Sequence, residues 1–115
     1  MKWNIISFKF DLIHRHPEAE GYDEELKFLK NLHYHDCKCE IWIEKIKEEE
    51  EYQPLAILDW IRSIVINKLS KDETISIDFL CELIKQNLDK VFLGSRKIKI
   101  RIWESDNIAL ECDYE

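Results

Sequence analysis

The sequence predicts an α+β domain with a four-stranded antiparallel sheet and two helices on one face. Four segments alternate apolar and polar residues with a period of two, and two segments between the second and third repeat apolar residues at helical spacing. With only two Gly and two Pro in 115 residues, the chain also favours long regular elements over loops. The order is therefore ββααββ, in which each half supplies an antiparallel pair and the helices between them cover one sheet face. The other face must be covered or line a cavity, so oligomerisation is expected.

Each element has its own signal. From Ile6 to His16 the residues Ile6, Phe8, Phe10, Leu12, His14 and His16 share one face, while Lys9, Asp11 and Arg15 take the other, which predicts a strand. Pro17 to Gly21 reads as a loop, after which Asp23 is expected to cap a short helix carrying Leu26, Leu29 and Leu32. His33, His35, Cys37, Cys39, Ile41 and Ile43 then form one face of a second strand. The acidic run Glu48–Glu51 reads as a solvated turn, and Pro54 as a stop to any helix running through it. Asp59 is expected to cap a helix over 59–70 bearing Trp60, Ile61, Ile64, Val65 and Leu69. Ser76 caps a second helix with Phe79, Leu80, Leu83, Ile84, Leu88 and Val91, stopped near Gly94. Ile98, Ile100 and Ile102, a Ser105-Asp106-Asn107 turn, and Ile108, Leu110, Cys112 and Tyr114 make a closing hairpin.

Composition narrows the function. An apolar share of 45% supports a real core, and 115 residues with no internal boundary predict a single domain over 1–115. Twenty-four acids against 17 bases leave the chain at -7, which argues against a general nucleic-acid binder. No apolar run approaches the roughly 18 residues of a membrane span, and the first residues lack a signal-peptide pattern. The expected location is cytoplasmic, where Cys37, Cys39, Cys81 and Cys112 stay reduced; Cys81 and Cys112 read as small core residues.

Three histidines carry the chemical interest. His33 and His35 leave the same strand face with Cα atoms roughly 6.5–7 Å apart, so two imidazoles can converge on one metal. His14 on the adjacent strand completes the set if the register allows, giving the open three-ligand arrangement of a catalytic zinc site. Without that register, all three read as half-buried polar residues at a sheet end. Cys37 stands about 13 Å from His33 along an extended strand, too far to share the ion, and is expected with Cys39 under the helices. His16 shares a face with His14 but precedes Pro17 and ranks as a spare. Glu104 ends the third strand, where a solvated carboxylate is the plain reading.

In this order the segments resemble the 6-pyruvoyl-tetrahydropterin and 6-carboxy-tetrahydropterin synthase family. The likeness rests on Phe8-Lys9-Phe10-Asp11-Leu12-Ile13-His14-Arg15, Leu32-His33-Tyr34-His35, Ile57-Leu58-Asp59-Trp60, Ile75-Ser76-Ile77-Asp78 and Trp103-Glu104-Ser105. Tyr34 stands where the family has glycine, and Ile75–Asp78 keeps only part of its motif. The resemblance implies a T-fold subunit whose sheets join between copies, as a trimer or a pair of stacked trimers. It implies that His14, His33 and His35 bind Zn(2+), and that Glu104 anchors a pterin through paired hydrogen bonds.

The implied activity is a zinc-dependent lyase acting on dihydroneopterin triphosphate or a related pterin; the queuosine-precursor, folate and biopterin routes stay open. The alternative is a T-fold protein that binds zinc and a pterin-like ligand without the family reaction. The family's proton-transfer groups are not matched: residues 17–31 contain no cysteine and residues 66–75 no histidine. His16, Asp36 and Asp72 are the side chains left to carry protons, so the catalytic residues are unassigned.

Overall fold

Isoleucine, phenylalanine and tryptophan at alternate positions pack well on a pleated surface and drive four segments into strands. The computed structural model describes residues 1–46, 53–94 and 96–114, and places these strands as β1 (Lys2–His14), β2 (His33–Lys45), β3 (Ile98–Trp103) and β4 (Ala109–Tyr114). They form one antiparallel sheet in the order β1-β2-β3-β4. Between β2 and β3 come α1 (Pro54–Leu69) and α2 (Ile77–Phe92). The expected turn at Glu48–Glu51 lies outside the described residues.

The core forms where both helices meet one sheet face. Ile6, Phe8, Phe10 and Leu12 of β1, Ile41 and Ile43 of β2, and Ile98, Ile100 and Ile102 of β3 are buried beneath Ile61 and Val65 of α1 and Leu80, Ile84 and Leu88 of α2. Fully burying an aliphatic side chain of this size stabilises by about 1.5–3 kcal/mol, so this layer dominates the fold. Cys37 and Cys39 are buried in it as expected, and Cys81 with them, whereas Cys112 is half-buried. Along β4 the alternation reaches only half-burial, and Ile108 lies before the strand and is exposed.

The opposite sheet face is polar with an aromatic patch. Trp3 and Trp42 meet edge to face at 6.4 Å, and the Lys99 ammonium lies over both rings. Arg101 pairs across the strands with Glu111 through Nε and a terminal nitrogen at 2.9 and 2.6 Å. Trp103 donates its indole N–H to Glu40 at 3.0 Å.

Three local expectations change. Helix α1 starts at Pro54 rather than Asp59, because proline in a first turn lacks only an N–H that has no helical partner there. Asp59 is thus inside the helix, not its cap. Residues 17–31 hold two 3-10 helices, Pro17–Gly21 and Glu24–Lys30, and Asp23 makes no side-chain capping bond. The second of them buries no residue, and Leu26 and Phe28 are exposed, so nothing pulls it into a regular amphipathic helix. The first strand spans 2–14 rather than 6–16, since Trp3 and Ile5 still pair with Glu44 and Trp42. Ser76 caps α2 as expected by accepting the Phe79 N–H at 3.1 Å, and Leu93 with Gly94 ends it at positive φ.

Candidate metal centre

Unequal strand lengths position the site. β1 and β2 are each 13 residues long, but β3 has six and ends with Trp103 opposite Lys38. From Cys37 back to His33, β2 therefore has β1 as its one strand partner among the described residues. The histidines stand at the tip of this two-stranded ribbon. The register sets His14 opposite His33 and Leu12 opposite His35, so all three imidazoles leave the face that carries the core.

The ring centroids of His14 lie 4.5 Å from His33 and 5.0 Å from His35, and those of His33 and His35 are 5.0 Å apart. With Zn–N bonds of about 2.0–2.1 Å, imidazoles sharing one tetrahedral ion have centroids about 5 Å apart. One nitrogen from each ring falls within 4.8 Å of the others. The set is thus gathered closely enough for small side-chain movements to close it on an ion.

Hydrogen bonds fix which nitrogens are free. His14 Nδ1 faces the Ile75 carbonyl at 2.7 Å and His33 Nδ1 faces the Asn31 carbonyl at 2.9 Å. Because a carbonyl only accepts, each Nδ1 carries the proton and each Nε2 keeps a lone pair. Both Nε2 atoms are inaccessible to solvent and have no hydrogen-bond partner among the described residues. A buried, unpartnered acceptor is costly in a folded protein, and two side by side are the donor set that a cation satisfies. Burial also holds the His14 imidazole below its ordinary pKa of 6.5; the Ile75 carbonyl opposes this, and charge on His16, His33 and His35 adds to the lowering. His14 is only 2% exposed, so the neutral, metal-binding form is favoured. Three imidazole nitrogens suit a first-row transition ion such as zinc, copper, nickel or iron rather than calcium or magnesium.

Glu104 follows β3 by one residue, its N–H donating to the Ile108 carbonyl at 3.0 Å. Continuing the β2–β3 register puts it opposite Cys37 on the histidine face, and its charge is felt at the Cys37 thiol. Burial pushes the Cys37 thiol up to about 12, with Glu104, Asp36 and Asp11 adding in the same direction, so it is protonated and inert.

The remaining candidates fall apart by position. Asp36 alternates with His35 and faces the uncovered side of the sheet, where it lines a surface cavity with Lys9, Lys38 and Trp103. Asp72 accepts both the backbone N–H and the hydroxyl of Thr74 at 2.8 and 2.7 Å, a turn-forming task on the exposed α1–α2 loop. His16 is brought closer than its rank as a spare suggested: its ring lies 4.6 Å from His14 and 5.5 Å from His33. The hydrogen bond from His14 to Ile75, which spans 61 residues, had no signal in the sequence.

No protein-family model and no curated protein matches this chain.

Proposed function

We propose that the chain is a divergent 6-pyruvoyl/6-carboxy-tetrahydropterin synthase: a T-fold, zinc-dependent pterin lyase acting on dihydroneopterin triphosphate or a related pterin. The observation that carries this reading is the pair of buried, unpartnered Nε2 atoms of His14 and His33 beside His35. His14, His33 and His35 hold the zinc, which supplies a Lewis acid for the oxygens of a substrate side chain. Glu104, on the same face near Cys37, accepts hydrogen bonds from the amino and N–H edge of the pterin ring. Ile75 and Asn31 keep two of the rings in the tautomer that presents Nε2. Among the described residues β1 and β4 are the outermost strands of an open sheet, and this supports an assembly in which sheets join between copies, as a trimer or stacked trimers. No helix among the described residues is long and apolar enough to cross a membrane.

A second reading draws on one specific observation. Cys37 is buried and protonated, Asp36 faces outward, and Glu104 is assigned to the pterin ring, which leaves His16 as the side chain among the described residues available to carry protons beside the triad. On this reading the domain binds zinc and a pterin without turning it over.

The deciding experiment incubates the zinc-loaded protein with dihydroneopterin triphosphate and separates the pterins over time. Triphosphate release with a new tetrahydropterin supports the lyase. Unchanged substrate that nevertheless co-elutes with the zinc-loaded protein supports the binding protein, and failure to retain either zinc or pterin rejects both readings.

A further inference from the structure

We propose that His16 is an exchangeable fourth ligand of the metal held by His14, His33 and His35. This rests on the metal-centre reading and adds a residue to it. Backbone contacts fix where His16 stands. Its N–H donates to the Leu29 carbonyl at 2.8 Å, its own carbonyl accepts from the Ala19 N–H at 3.0 Å, and Pro17 follows. The ring is then held edge-on to His14 at 4.6 Å and tilted against His33 at 5.5 Å. These two distances bracket the roughly 5 Å that imidazoles sharing one tetrahedral zinc require.

The second nitrogen is also accounted for. His16 Nδ1 lies 3.5 Å from a Glu18 carboxylate oxygen, close enough for a small rotation to form the carboxylate–histidine bond that orients a ligating imidazole through its other nitrogen. Although His16 precedes the Pro17–Gly21 helix, its side chain makes no capping bond that would compete for the ring. The ligand atoms that lie within 4.8 Å of one another belong to His14, His33 and His35, so His16, whose ring meets His14 and His33, reaches the ion by side-chain rotation from a fixed backbone. Its side chain is 28% exposed whereas His14 is buried, so an incoming ligand reaches it from solvent, and its place at the end of the ribbon beyond the triad leaves it space to withdraw. Without substrate, His16 closes the fourth position; substrate oxygens take that position and His16 swings back toward Glu18. This exchange forms and breaks one coordinate bond, with no net transfer of protons or electrons.

The test titrates Co(2+) into the metal-free full chain and into His16→Ala, following the d–d absorption, with zinc affinity obtained by competition. In the wild type we expect the intense bands of a four-coordinate nitrogen site. In His16→Ala we expect altered bands and binding weakened by at least about tenfold, with added imidazole restoring both. Identical bands and affinity in the two proteins overturn the proposal. Zinc-edge X-ray absorption on the wild type gives a check that needs no variant to fold: scattering from four imidazoles supports it, and three imidazoles plus oxygen overturns it. If the wild type takes up neither ion, the metal-centre reading fails, and this inference with it.

Discussion

His14 Nδ1 donates to the carbonyl of Ile75 at 2.7 Å, joining the end of β1 to the residue just before the cap of α2. The next residue repeats the link. Arg15 N–H donates to the Glu73 carbonyl at 2.8 Å, and its guanidinium meets the Glu73 carboxylate at the same distance. The candidate metal centre is thus tied to the loop that seats α2 on the sheet. Ordering the histidines and ordering the helix layer are coupled, so metal binding should stabilise the domain as a whole.

The first prediction follows from that coupling. A ligand that binds only the folded state adds about 2.7 kcal/mol at a hundred times its Kd. Zinc should therefore raise the Tm of the wild type and leave that of His33→Ala unchanged, with metal content measured on both proteins after dialysis. Full zinc occupancy in the variant rules the triad out.

The buried imidazole also sets a pH dependence. Because burial lowers the His14 pKa in the folded state below 6.5, the unfolded chain binds more protons as the solution is acidified. This contribution to stability is fully present above the unfolded value and is lost as pH falls from 6.5 through the folded pKa. Urea midpoints of metal-free protein compared at about pH 8 and about pH 5.5 should show a smaller drop for His14→Gln than for the wild type. An equal drop in both removes His14 as the source.

What the sequence revealed depended on the range of each interaction. Alternation along 33–43 placed His33, His35 and Cys37 on one face, because a strand's period is local. The pairing of His14 with His33 depends on register across residues 15–32, which local pattern leaves open. Pro54 could be read as a stop or a first turn, and Gln53 offers no side-chain capping signal to decide between them. His16 ranked low because Pro17 follows it, yet backbone bonds to Leu29 and Ala19, distant or unreadable in the local pattern, hold it where its ring meets His14. Likewise, whether Asp36 or Asp72 touches the site is a tertiary fact. One faces the uncovered sheet side and the other is engaged by Thr74.

Cysteine reactivity tests whether a displaced thiol serves the site. Burial pushes Cys37 up to about 12 and holds Cys39 and Cys81 above the ordinary thiol range, and all three are buried. At neutral pH a thiol-directed disulfide reagent should modify the half-buried Cys112 first and reach the other three only on denaturation. Rapid labelling of Cys37 in the native protein, located by peptide mass mapping, would restore it as a candidate nucleophile or proton carrier.

Glu104 provides a test of ligand recognition apart from metal. Replacing its carboxylate with an amide removes a charged acceptor, and hydrogen bonds to charged groups are worth about 1.5–3 kcal/mol. Glu104→Gln should weaken pterin binding by roughly tenfold to a hundredfold while zinc content stays at the wild-type level. Unchanged pterin affinity, measured by fluorescence titration, removes Glu104 from the site.

Asp72 separates a chemical role from a structural one. Its carboxylate is held below the usual range first by the Thr74 hydroxyl, then by the Thr74 N–H, which marks it as the acceptor of a tight turn. That turn contains Glu73 and precedes Ile75, the two residues that hold Arg15 and His14. Asparagine keeps an acceptor oxygen at the same place but cannot carry a proton at neutral pH, whereas alanine supplies neither. Asp72→Asn should match the wild type in zinc affinity and turnover, and Asp72→Ala should lower zinc affinity because the Ile75 carbonyl loses its fixed position. If Asp72→Asn keeps its zinc but loses turnover, the carboxylate acts as the proton carrier and the structural assignment falls. If neither substitution changes zinc affinity, His14 is positioned by the Ile75 bond alone and the turn has no part in the site.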